Sequence, residues 1–165
     1  MAKIFLILHV LAAVIAVGPV TVAGSMFPAA ARKAAAGPDR PDSVAAVRLL
    51  HRICQVYAFV GLAVPVLGFA TASSMGVLGS PWLIVSIALT GAAALVLALL
   101  VLPGQAAAIA DLNGSATDDG DATTGAAGLE AAQIRRLAML TGIFNLLWAT
   151  VTILMIVRPG SSTGA

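Results

Sequence analysis

The sequence predicts an all-α fold, a membrane-spanning up-down-up-down four-helix bundle built as a single transmembrane domain over residues 1–165. Three observations carry that expectation. Hydrophobic residues make up 60% of the chain and charged ones 10%, with a mean hydropathy of +1.03, whereas soluble domains are roughly half apolar and a quarter charged. Four apolar runs approach the ~20 residues with which an α-helix crosses a ~30 Å hydrocarbon core. The segments between the runs hold almost all of the charge and most of the helix-breaking Gly, Pro and Asp.

The first span is expected over about 3–31. Its core, Ile4 to Gly24, has no charged residue, and at ~1.5 Å per residue it is ~31 Å long. Lys3 precedes it and Arg32-Lys33 follows. The run exceeds the ~7–15 residues of a signal-peptide core and more spans follow it, so it reads as mature structure. Gly18-Pro19 predicts a kink, because proline removes one helix hydrogen bond and presses on the preceding turn. Ala12, Ala13, Ala16 and Ala23 offer close-approach faces to partner helices.

The connection Ala34 to Asp42 contains Gly37, Pro38 and Pro41, which stop a helix, and Asp42 or Ser43 is the expected N-cap of the second span, 43–73. Its first turns carry Arg48, His51 and Arg52. Pro65 predicts a second kink. Ser73 to Ser80 is short and uncharged, so spans two and three are antiparallel neighbours. In span three, 81–104, Ser80 caps, Pro81 takes the first helical position and Trp82 stands where an aromatic belt residue anchors the interface. Pro103-Gly104 is expected to interrupt it. Residues 111–128 are rich in Gly, Asp, Ser and Thr and read as a flexible acidic cytoplasmic loop. Asp118, Asp119 and Asp121 cluster there without the alternating ligands of an EF-hand. Span four, 129–158, starts with Arg135-Arg136 ahead of its apolar core and ends at Arg158-Pro159; the tail SSTGA reads as disordered.

Basic residues orient the bundle. Arg32, Lys33, Arg40, Arg48 and Arg52 flank the first connection and Arg135 and Arg136 the third, against Lys3 and Arg158 at the termini. The positive-inside rule then places the charged connections in the cytoplasm and both termini outside, in a bacterial plasma (inner) membrane. The same distribution makes the basic pI a topological signature, and without a basic run interleaved with aromatics no nucleic-acid partner is expected. The expected partners are the lipid bilayer and other membrane subunits or a second copy of the chain.

All seven Asp and Glu lie in the two cytoplasmic connection regions, which disfavours a carboxylate-driven transporter. Cys54 is single, so neither an intrachain disulfide nor a Cys/His metal cluster is expected. His9 is the one ionisable side chain well inside a span, ~7 Å below the outer interface by helix rise. An imidazole in hydrocarbon needs a partner or a ligand, so His9 is the candidate for holding a haem or a quinone; the plainer reading is a bond to a neighbouring helix. His51 cannot share a haem with His9, because antiparallel geometry sets them ~25 Å apart along the normal. Met155 lies at a depth comparable with His9. Arg48, His51 and Arg52 read as a basic patch for lipid headgroups, and Asn145 and Trp148, with Thr141, as a face that packs against another helix. No catalytic residue or metal cluster stands out.

The segments LHVLAAVIAVG, GFATA and SPWLIVSIALTGAAALVLALLVLPGQ resemble the bacterial integral-membrane family designated domain of unknown function 2269. That resemblance covers nearly all four spans and implies an inner-membrane four-span protein without assigning an activity. A more distant similarity is to four-helix haem-binding membrane oxidases of protoporphyrinogen, which also begin with a histidine-bearing span; Leu6 stands here where they have lysine three residues before the histidine. The functional expectation is a non-enzymatic accessory or interaction subunit, the alternative a haem- or quinone-binding membrane redox protein using His9.

Overall fold

The computed structural model describes residues 2–36, 41–114 and 124–160. Among them every regular element is a helix: α1 (Ala2–Ala35), α2 (Pro41–Val60), α3 (Ala63–Met75), α4 (Pro81–Leu95), a π-helical turn (Val96–Val101), α5 (Leu102–Gly114) and α6 (Thr124–Val157). They join into four rods long and apolar enough to cross a membrane, Ala2–Ala35, Asp42–Met75, Pro81–Gly114 and Ala131–Val157. The helical-bundle expectation is met, and the chain is built as a multi-pass membrane protein. Three of the rods have 34 residues, or ~51 Å at 1.5 Å per residue, so they run well past a ~30 Å hydrocarbon core.

Helix α1 crosses both Pro19 and Pro28 as one element. Its buried residues include His9, Ala16, Val20, Ala23, Phe27, Ala31 and Ala34, a stripe at three- and four-residue steps that lies on one helical face. His9 therefore belongs to the stripe that faces the bundle. Among the described residues the second helix begins at Pro41, one residue ahead of the expected cap, with Asp42 in its first turn.

The expected break in span two falls at Gly61-Leu62, four residues ahead of Pro65. Proline lacks the N–H that would bond the Gly61 carbonyl and its ring crowds that carbonyl. The Gly61 oxygen instead takes the Val64 N–H at 3.1 Å, while Leu62 N–H reaches Phe59 oxygen at 3.1 Å, so the chain crosses the defect in two tight turns.

Span three differs from its expectation. Pro103-Gly104 does not interrupt it; the rod continues to Gly114. The π-turn absorbs the proline: Leu102 N–H bonds Leu97 oxygen, and this wider i→i−5 ladder relieves the collision between the ring and the preceding turn. The acidic connection is correspondingly shorter than expected. Asp111 to Gly114 form the last turn of α5 and α6 begins at Thr124; Leu112 and Ile109 pack against the core at that end, which extends the helix beyond its apolar run. Asp118, Asp119 and Asp121, the first connection around Gly37 to Arg40, and the tail after Gly160 lie outside the described residues.

The core has three parts along the bundle axis. At the end where α1 runs into α2, Phe27, Ala31, Ala34, Val47, Ala108, Ile134 and Leu137 close tightly. In the middle, Val20, Ala93, Leu97, Val101, Leu140 and Phe144 interdigitate. At the opposite end only Ala72, Trp82 and Leu83 form a buried group, with Val77 and Met155 against it. The bundle is thus closed at one end and loosely packed at the other.

Candidate functional site

The loosely packed end leaves an open cleft, a cavity of about 1070 Å³ between α1 and α3 on one side and α4 and α6 on the other, whose outer walls, Val14, Phe69 and Ile156 among them, are exposed. Small-molecule sites typically measure ~300–1,000 Å³. Its walls are aliphatic and aromatic, from Leu6, Val10, Val14 and Val17 on α1 through Phe69 on α3 to Trp148, Val151 and Ile156 on α6. Few polar groups interrupt them: His9, Thr71, Trp82, Thr90, Thr152, and Arg158 at the mouth.

His9 is 8% exposed and its Nδ1 lies 2.9 Å from the Val64 carbonyl oxygen. A carbonyl only accepts, so Nδ1 carries the proton, and in the neutral ring the lone pair resides on Nε2. Nε2 has no hydrogen-bond partner among the described residues. The ring gets close enough to α3 because residue 68 is glycine: a Cβ there would stand 2.9 Å from His9 Cε1 and 3.2 Å from Nδ1. Imidazoles that bind metals commonly have this arrangement, with the remote N–H fixed on a carbonyl and the other nitrogen turned to the ligand.

The threonines add little donor capacity. Thr71 gives its hydroxyl proton to Leu67 oxygen at 2.7 Å, Thr90 to Ser86 oxygen at 2.7 Å and Thr152 to Trp148 oxygen at 2.9 Å. Trp82 departs from the interfacial role its position suggests: it is 8% exposed, packed beneath the cavity mouth, and its buried indole N–H has no acceptor. Ser80 stands in extended backbone before Pro81 without a side-chain capping bond. Met155, expected at the depth of His9, lines the same cavity.

The other sequence candidates sit elsewhere. His51 is half-buried with Nδ1 3.0 Å from Gln105 Oε1, and Gln105, 1% exposed, gives Nε2–H to Cys54 Sγ at 3.7 Å. Arg48 donates to Asn113 Oδ1 at 2.7 Å, and Arg52 is exposed. Of the three residues read as one headgroup patch, His51 and Arg48 both reach across to α5, and Arg48 and Arg52 are exposed at the surface. Asn145 donates from Nδ2 to Ser25 Oγ at 3.0 Å, tying α6 to α1, and Trp148 meets Phe144 edge to face with centroids 6.4 Å apart. Thr141 packs at the same crossing, against Gly24.

Val64, Gly68 and Gln105 were not legible as site residues. A heptad step from His9 to Ala16 and Ala23 does signal that His9 faces the bundle, but nothing local marks the partner carbonyl. No family model, curated protein or solved structure matches this chain.

Proposed function

We propose that this chain is a multi-pass accessory subunit of a bacterial plasma membrane, both termini outside, that holds a haem-type prosthetic group in the cavity beside His9. The observation that carries the proposal is the His9–Val64 bond: it fixes the ring and leaves Nε2 unpaired in a residue that lines a large apolar cleft. Among the described residues no three His, Cys, Asp or Glu side chains converge. A metal held by His9 would then need further ligands of its own, as a porphyrin supplies. His9 would hold the group through Nε2, and Met155, which lines the same cleft, would offer a thioether to it. Bound there, the group supplies one-electron chemistry at iron; the chain's part is to orient it and exclude water.

A quinol is the second reading, favoured by the same lone pair, since a neutral Nε2 accepts a hydroxyl proton. Spectroscopy separates the two. Detergent-purified protein titrated with haemin is expected to give a one-to-one complex with a sharpened Soret band, lost in His9→Ala. A featureless titration with tight binding of a quinol analogue supports the second reading. Failure of both overturns the cavity assignment and leaves a subunit that acts only through protein contacts.

A further inference from the structure

The outer mouth of the cavity carries two groups that His9 chemistry does not use. Arg158 ends α6 with φ 45°, a left-handed conformation normally taken by glycine. This cap folds the side chain back toward the bundle: backbone N–H of Arg158 meets Leu154 oxygen at 3.0 Å, Nε donates to Met155 oxygen at 3.3 Å, and the guanidinium carbon stands 5.8 Å from the centre of the Trp82 ring. Asp42 and Asp111, the acidic residues whose side chains are described, belong to the opposite end of the bundle, so among the described residues the charge has no carboxylate beside it. The ring beneath it, 8% exposed and packed with Ala72, Leu83 and Met155, carries an indole N–H that is itself buried and has no acceptor among the described residues. A buried donor left without an acceptor is costly. One permanent cation and one unpaired indole donor, with no carboxylate beside them among the described residues, border an apolar cleft and complement a carboxylate on a greasy body.

We infer that the cavity takes a carboxylate-bearing amphiphile, its anionic end at Arg158 and Trp82 and its apolar body reaching inward to His9. The inference rests on the reading of this cavity given above and names the class of ligand within it. A haem with free propionates belongs to the class; a quinol does not, and a long-chain fatty acid is the other source of the same chemistry.

The test compares acids with their esters. Full-length protein in detergent is titrated with haemin and haemin dimethyl ester, and with a fluorescent long-chain fatty acid and its methyl ester. Because hydrogen bonds to a charged group are among the strong ones, the wild type is expected to prefer acid over ester by about tenfold or more. Arg158→Gln is expected to lower that ratio about tenfold relative to the wild type, and Trp82→Phe to lower it in part. Each ratio is taken between variants, so the greater detergent partitioning of the esters cancels. Haemin bound through His9 with equal affinity for its ester leaves the haem reading intact and overturns this inference. No haemin spectrum, together with an Arg158-dependent preference for the fatty acid, overturns the haem reading and supports the inference. A preference that survives Arg158→Gln and Trp82→Phe unchanged overturns it for either source.

Discussion

His9 of α1 and Val64 of α3 are joined by a 2.9 Å hydrogen bond from ring Nδ1 to backbone oxygen. The Val64 N–H serves the tight turn that Pro65 imposes, bonding Gly61 oxygen at 3.1 Å, and the Val64 oxygen receives the imidazole. A proline defect in one span and a histidine in another are thus parts of one arrangement, and Gly68 completes it by making room for the ring.

Gly68→Ala tests this without touching the histidine. Its new Cβ falls 2.9 Å from His9 Cε1, inside contact distance, so the ring must shift and its bond to Val64 lengthen. Loss of a supporting contact around a ligating histidine typically costs about 10- to 100-fold in affinity. Haemin affinity is expected to fall by that order while the protein remains folded by circular dichroism; an unchanged affinity would show that ring placement is unimportant.

The closed end makes a separate prediction. His51 and Gln105 meet at 3.0 Å with Gln105 almost fully buried, and polar pairs between membrane helices couple by ~0.6 kcal/mol on average, up to ~1.7. A double-mutant cycle of His51→Leu and Gln105→Leu, read by unfolding in detergent, is expected to give a coupling in that range. Each variant should bind haemin as the wild type does, because the pair lies far along the bundle from His9.

Gly24 marks the contact between α1 and α6. A Cβ there stands 3.1 Å from Thr141 Cγ2, and Thr141 is 4% exposed. Alanine needs a small adjustment, whereas Gly24→Leu overpacks the crossing and is expected to destabilise by about 1–3 kcal/mol. A melting temperature unchanged in Gly24→Leu would mean that the helices do not meet there.

Sidedness is tested with introduced cysteines. In otherwise cysteine-free protein, Gly79→Cys, exposed between α3 and α4, is expected to react with an impermeant maleimide on intact cells, and Gly114→Cys, at the opposite end, only after permeabilisation. The reverse pattern would invert the topology.

Four spans were legible because bilayer length and the absence of charge are properties of composition. The ends of the spans were less so. Asp111 to Gly114 read as loop from their polarity, yet Leu112 has a core drawn from several helices to pack on, and Arg48, 65 positions away, reaches Asn113. Pro103 read as a break because proline usually is one; a local change of helical register was equally open to it. At the site, His9 was visible as an imidazole in hydrocarbon, whereas Val64 contributes only a carbonyl and Gly68 only the absence of a side chain. Trp82 lay beside a helix start and read as an interfacial anchor; which way the ring turns is set by the packing of α3 and α6.

The most direct measurement of the central claim is chemical rescue of the ligating nitrogen. His9→Gly protein is titrated with haemin, and free imidazole is then added to occupy the space the side chain vacates. The wild-type Soret spectrum is expected to be absent from the variant and to return with imidazole. A variant whose haemin spectrum equals that of the wild type before any imidazole is added would contradict the account.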